Sequence, residues 1–257
     1  MVPPTMLPPV GLPLKCSSLY LQYADARGIS WAQAQVKAFH YLHRRLNQAS
    51  MPWAYLLYQN RGEEGFVRVG CLLFNRSQCN KVTGWFGPAE WIETGRAYLT
   101  QWELLNLARV WLSEEIQLAS SRWFVSNAAS RTISAALKHV PRDYLLYYPP
   151  LDLNQPWKLR ECMTYLHARV FQGTIYKANN FILRRDNGAG LLTYSRVLRR
   201  LHREEEDLIE VASKLHKRHR RRRAYLKALQ EVSWSPLFTL YPVLGGDEEE
   251  RELPLVV

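Results

Sequence analysis

The chain has 257 residues, of which 47% are hydrophobic and 22% charged, with a formal net charge of +11. That length supports one large α/β domain or one domain with extensions. No apolar run approaches the roughly 20 residues needed to cross a bilayer, so no membrane partner is expected. The charge speaks of polyanionic partners rather than of fold. Most of it is local, since Arg196 to Lys227 holds 12 Lys and Arg against 5 acidic residues, +7 of the +11.

The first 13 residues contain five prolines. They lack the basic start and apolar block of a signal peptide. Residues 1–15 therefore read as a stiff, proline-rich arm. Cys16, Cys71, Cys79 and Cys162 show no CxxC or zinc-ligand spacing, and free thiols in a reducing cytoplasm are the expectation.

SSLYLQYADA reads as a short extended segment. Trp31 to Gln48 has a helical rhythm, with Trp31, Ala34, Ala38 and Tyr41 or Leu42 at spacings of three or four. AYLLYQN and FVRVGCLLFN are strands, and the two-glycine linker Arg61 to Gly65 predicts an antiparallel hairpin. Leu99 to Leu112 reads as strand followed by helix. Ser126 to Val140 reads as a helix with Ser126 or Asn127 as N-cap, and RDYLLYYPPL as a short aromatic strand. TYLHARV is strand-like and FQGTIYKANNF a turn leading into a helix. Leu201 to Glu231 is predicted as one amphipathic helix, acidic at its start and basic at its end, with Leu208, Val211 and Leu215 as its apolar stripe. Residues 232–257 read as a tail. Strands and helices alternate without internal repeat, which points to an α/β or α+β sheet domain over residues 16–200, followed by the basic helix at 201–231.

Candidate chemistry is dispersed. His40 and His43, three apart, could share a metal or a polar substrate, or simply face solvent. His167 ends a strand six residues before Gly173, where a sheet edge often presents functional side chains. Imidazole serves equally as metal ligand or general base near neutral pH. Ser126 to Arg131 opens a helix whose N–H groups suit an anion, with Arg131 as a further contact; an ordinary capped helix has the same pattern. Lys217, Arg218, Arg221 and Arg222 form a basic cluster suited to phosphates. HExxH, GxSxG and Walker-type sequences are absent, and so is the RxxGxG/A pyrophosphate loop of acetyl-CoA-dependent GNAT acyltransferases.

Taken in order, KAFHYLHR, VGCLLF, WELLNLARVWL, SNAASRTISAAL and TYLHARVFQGTIYKANNF resemble segments of the phage Mom DNA-modification proteins and related mobile-element and anti-phage-defence proteins. The resemblance covers roughly residues 30 to 200. It implies a GNAT-like fold, a mixed, mostly antiparallel sheet flanked by helices. It also implies modification of adenine in DNA, which would protect phage or mobile-element DNA from restriction. By position, His40 and Tyr41 would line the active site, and Asn127, Ser130 and Arg131 would meet the phosphates of an acyl donor of unknown identity. Residues 173–180 would close the pocket, with Tyr176 pointing inward and Lys177 near the nucleic acid.

The sequence departs from that pattern in two places. His167 stands where those proteins usually carry aspartate, which keeps an iron or zinc site with His40 conceivable and weakens a carboxylate-dependent mechanism. Pro149 to Cys162 reads as an insertion. Three functions are therefore weighed: a transferase acting on bases of double-stranded DNA, a non-enzymatic DNA- or RNA-binding protein, and a GNAT-like N-acyltransferase on another amine.

Overall fold

A computed structural model describes residues 19–40, 46, 52–77, 81–83, 98–100, 103–150, 158–219, 221–231, 239–243 and 255–256. The proline arm, Tyr41 and His43 lie outside these residues, as does the side chain of Arg222. Eleven strands and five α-helices are described: β1 Leu19–Tyr23, α1 Ala26–Phe39, β2 Trp53–Asn60, β3 Phe66–Arg76, β4 Lys81–Thr83, β5 Tyr98–Thr100, β6 Leu104–Leu112, α2 Ala128–Tyr147, β7 Glu161–His167, α3 Thr174–Lys177, β8 Ile182–Asp186, β9 Leu191–Val197, α4 Arg203–Arg218, α5 Arg222–Glu231, β10 Thr239–Val243 and β11 Leu255–Val256. Nine strands share a mixed sheet in the order β11-β10-β1-β2-β3-β6-β7-β9-β8. Of the pairings described, only β6 with β7 is parallel. This is the mostly antiparallel, helix-flanked sheet of a GNAT-like fold.

The chain divides into two compact units. The first comprises residues 1–74, 107–136 and 237–257. All eight residues of β2 are buried there, as befits a strand covered on both faces. Its core is aromatic: Trp53 stacks on Tyr23 at 5.3 Å and on Phe74 at 5.2 Å, and Tyr55 meets Tyr241 edge-on at 6.2 Å. The expected hairpin is present, β2 pairing antiparallel with β3 across the turn at Gly62–Glu64. Cys71 is a free thiol within this core. Burial pushes its pKa up to about 12, partly opposed by Arg68, so it packs as an inert apolar group.

The second unit comprises residues 75–106 and 137–236. Its sheet core is β7 paired antiparallel with β9, and β9 with β8. Arg160 anchors the start of β7, its Nε donating to Glu103 at 2.9 Å. Tyr225 of α5 is fully buried, and its hydroxyl donates to the Leu146 carbonyl of α2 at 2.5 Å.

Four expectations are corrected. Leu104–Leu112 is strand throughout, so the segment ends in a strand rather than a helix. RDYLLYYPPL is not a strand, because α2 runs through Pro141 to Tyr147. Leu137, Val140, Tyr144 and Tyr147 are buried at helical spacing, and their packing outweighs the backbone hydrogen bond that proline removes. The single helix at 201–231 is two, α4 and α5, broken around His219. The break falls at the run His219 to Arg223, where like charges three and four apart would repel along a continuous helix. Within the tail segment, Thr239–Val243 forms β10 beside β1.

The buried stripe of α4 also differs, being Ile209, Ala212 and Ser213, while Val211 is exposed. A polar anchor sets this rotation. Glu205 accepts two hydrogen bonds from Arg199, at 2.7 and 2.6 Å, and one from the His202 backbone at 2.9 Å. Burial alone would raise its pKa, but Arg199, the His202 amide and the Arg142 charge together hold it below the usual carboxylate value.

Candidate functional site

The parallel pair is short, Leu104–Asn106 against Glu161–Met163. Beyond Asn106, β6 continues to Leu112 in the first unit and leads through residues 113–127 into α2. This crossover loop is fixed at several points. Ser113 N donates to Val69 O at 2.8 Å, and Val125 N to Ile116 O at 3.0 Å. Two guanidinium groups lie over the Trp123 ring, Arg61 at 4.7 Å and Arg122 at 4.6 Å. Arg61 also pairs with Glu115, and Arg122 with Glu64 at 2.7 Å. Gln59 Nε2 donates to the Trp123 carbonyl at 2.9 Å.

Asn127 takes the N-cap position by accepting the Arg131 amide at 3.0 Å. Its φ of 54° is left-handed, a region asparagine tolerates better than most residues. Asn127 is exposed, Ser130 half-buried, and the first turn of α2 carries no acidic side chain. The helix start thus has the polarity an anion needs. Arg131 is already engaged, donating to the Val243 carbonyl at 2.9 Å, so it ties the helix start to β10.

His40 caps α1, its amide donating to Val36 O at 3.0 Å. Around it lies a group that the sequence reading missed. Phe39 stacks on Trp111 at 5.7 Å, and Trp31 meets Trp111 edge-on at 5.9 Å. Arg68 lies 4.5 Å over Trp31 and donates to the Tyr58 hydroxyl at 3.1 Å. A bulge in β3, where Leu57 pairs with Gly70 and Tyr58 with Arg68, accompanies this placement. Gly70 is essential to it, because an added Cβ would lie 2.8 Å from the Trp111 carbonyl. The helical rhythm places Trp31 on the buried stripe, but α1 buries Gly28, Ile29, Ala32, Gln33 and Val36 instead. The missed signal is the spacing of Trp31 and Phe39, eight residues or just over two turns apart.

In the second unit His167 ends β7, paired with Leu191. Its carbonyl accepts the amides of Val170 and Phe171, both at 3.0 Å, and its Nδ1 is buried without a hydrogen-bond partner. Gly173 then turns the chain at φ 73°; a Cβ there would lie 3.0 Å from Leu166 Cδ2 and 3.4 Å from the Tyr194 hydroxyl. Tyr176 is half-buried in the single turn of α3 and meets Phe181 edge-on at 5.6 Å. Asn179 is buried and caps that turn, Nδ2 donating to the Ile175 carbonyl at 2.8 Å. Arg196 donates to the Asn179 carbonyl at 3.1 Å, and its burial lowers its pKa, partly opposed by Cys162. The expected turn into a helix is therefore present, with the two amides split: Asn179 inward, Asn180 exposed at φ 57°.

Lys177 is exposed, as are Lys217, Arg218 and Arg221 around the break between α4 and α5. That break removes the continuous helical face expected to align Arg218 with Arg221 and Arg222. The expected iron or zinc site gains no support, since among the described residues no group of three His, Cys, Asp or Glu could hold a metal ion, and neither His40 nor His167 belongs to one. Among the described residues no helix is long and apolar enough to cross a membrane.

No protein-family model and no curated protein matches the chain. Among solved structures, a tyrosine-to-phenylalanine mutant of KacT is similar at 11% identity and TM-score 0.40, covering 74% of this chain and 99% of that one. AtaT complexed with acetyl-methionyl-tRNAfMet is similar at 13% identity and TM-score 0.39, covering 68% and 93%. The NatC complex bound to Gag peptide and CoA gives 9% identity and TM-score 0.42, covering 70% and 99%. Likeness this distant carries no activity across; the GNAT-like assignment of the fold rests on the sheet itself, and DNA modification draws nothing from these matches.

Proposed function

We propose that this chain is a GNAT-type N-acyltransferase that moves an acyl group from an activated donor to an amine. The observation that carries the reading is the sheet: the one parallel pair described, β6 with β7, is joined through α2, and β7 ends at His167. Open sheets bind ligands outside the carboxyl ends of parallel strands, with anions at the following helix N-terminus. The donor would supply an activated acyl carbon and a phosphate-bearing handle.

His167 takes the proton as the amine nitrogen bonds to the acyl carbon, and Tyr176 returns one to the leaving group as its bond to that carbon breaks. The unpartnered Nδ1 of His167 supports the first role. The narrower acceptor, the amine of a DNA adenine, is favoured by no separate observation.

The test supplies acetyl-CoA with four acceptor pools (small amines, peptides, RNA and DNA) and follows thiol release and donor-dependent mass gain. Release with at least one pool, lowered about a hundredfold or more in kcat by Tyr176→Phe, is expected. Folded protein that releases no thiol with any pool would overturn the reading.

A further inference from the structure

The second unit holds 23 Lys and Arg against 13 acidic residues, so +10 of the chain's +11 falls within it. Many of those cations are neutralised in place: Arg160 by Glu103, Arg184 by Glu161, Arg199 by Glu205, Lys158 by Glu206 and Lys214 by Glu210. The excess gathers at the break between α4 and α5, where His216 to Lys227 has seven Lys and Arg and no acidic residue. Lys217, Arg218, Arg221 and Lys227 are exposed there, with no ion pair among the described residues. Their support is fixed. His216 packs edge-on against Tyr225 at 5.0 Å, and the buried Tyr225 hydroxyl donates to the Leu146 carbonyl of α2. The Tyr225 amide donates to the Arg221 carbonyl at 3.1 Å. The cations therefore stand on an elbow tied into the core of the unit.

We propose that this elbow binds double-stranded nucleic acid through its phosphate backbone, without reading its sequence. Two features of the elbow select that partner among polyanions. Among the described residues of α4 and α5, Val211 is the only large apolar side chain exposed, and it lies more than a turn before Lys217. A lipid surface or an acidic protein needs apolar side chains to bury, whereas phosphates need only the charge. Apart from its histidines, the segment's one aromatic ring is Tyr225, which is fully buried and offers no base a stacking face. Charge density is then the discriminant. A duplex carries one charge per ~1.7 Å of axis, about twice the density of a single strand. The inference does not rest on acyl transfer and holds with or without it.

The experiment titrates the full chain, without acyl donor, with short duplex DNA and duplex RNA, single strands of equal length, and vesicles of anionic phospholipid. Both duplexes are expected to bind more tightly than the single strands and the vesicles. Replacing Lys217, Arg218 and Arg221 together with glutamine should weaken duplex binding about ten- to a hundredfold at about 0.15 M salt. Replacing Arg169, Arg185 and Arg203 with glutamine removes the same charge from other exposed positions of the unit. That variant should change duplex affinity less than about threefold, because salt screens cations remote from the contact. Arg218→Lys with Arg221→Lys keeps the charge and should keep the affinity. Equal losses in the two triple variants would assign the binding to net charge and overturn the proposal. Tighter binding to single strands or to vesicles overturns it in favour of that partner. If the elbow triple fails to fold, the lysine exchange and the wild-type comparison of duplex with single strand decide the question.

Discussion

Two regions of this molecule use positive charge in opposite ways. Around the crossover loop of the first unit the arginines are engaged: Arg61 and Arg122 lie over Trp123 and pair with Glu115 and Glu64, and Arg131 of α2 donates to a strand carbonyl. Around the break between α4 and α5 in the second unit, Lys217, Arg218 and Arg221 are exposed. The first set is tied to the protein's own groups, although Arg122 stays 74% exposed, and the second is presented to solvent. Net charge alone does not distinguish them.

The sharpest way to break that contrast is to remove the exposed set. Replacing Lys217, Arg218 and Arg221 together with alanine should lower polyanion affinity by about one to two orders of magnitude at low salt and flatten the salt dependence by about one log unit per lost contact, measured by fluorescence titration. Thermal stability should stay within about 0.5 kcal/mol of wild type. Arg61→Ala should do the reverse, costing about 1–3 kcal/mol in denaturant unfolding while polyanion affinity holds. Arg131→Met leaves the Val243 carbonyl without its donor and should cost about 1 kcal/mol by the same measurement.

The smallest effect tests the clamp on α4. The pKa of Glu205 is lowered in the folded chain, so its stabilisation is present above its unfolded value and fades as pH falls through the folded one. Unfolding followed from neutral to acidic pH should show Glu205→Gln losing stability at pH 7 and converging on wild type in acid. A constant difference across that range would mean that the pair with Arg199 is not linked to protonation.

Much of the element order is legible in the sequence because periodicity and turn residues are local signals. The β2–β3 hairpin follows from two glycines between apolar runs, and α3 from Gly173 ahead of a short polar helix start. RDYLLYYPPL misleads because its aromatic residues favour strands, while the burial of Tyr144 and Tyr147 on α2 is a tertiary fact. The face of α4 misleads because hydrophobicity alone ranks Val211 above Glu205, and only the paired arginines reveal why the glutamate turns inward. His167 and Tyr176 can be named from sequence, since they flank a glycine turn. The group of Phe39, Trp111 and Arg68 cannot, because it assembles residues from α1, β6 and β3 whose proximity depends on a bulge and on Gly70.

The central claim is that His167 and Tyr176 move the protons of an acyl transfer. It is tested most directly by kcat/KM for donor-dependent thiol release in wild type, His167→Ala and Tyr176→Phe. The account predicts a loss of about 10²- to 10⁴-fold in each variant. Full rates in both variants would contradict it.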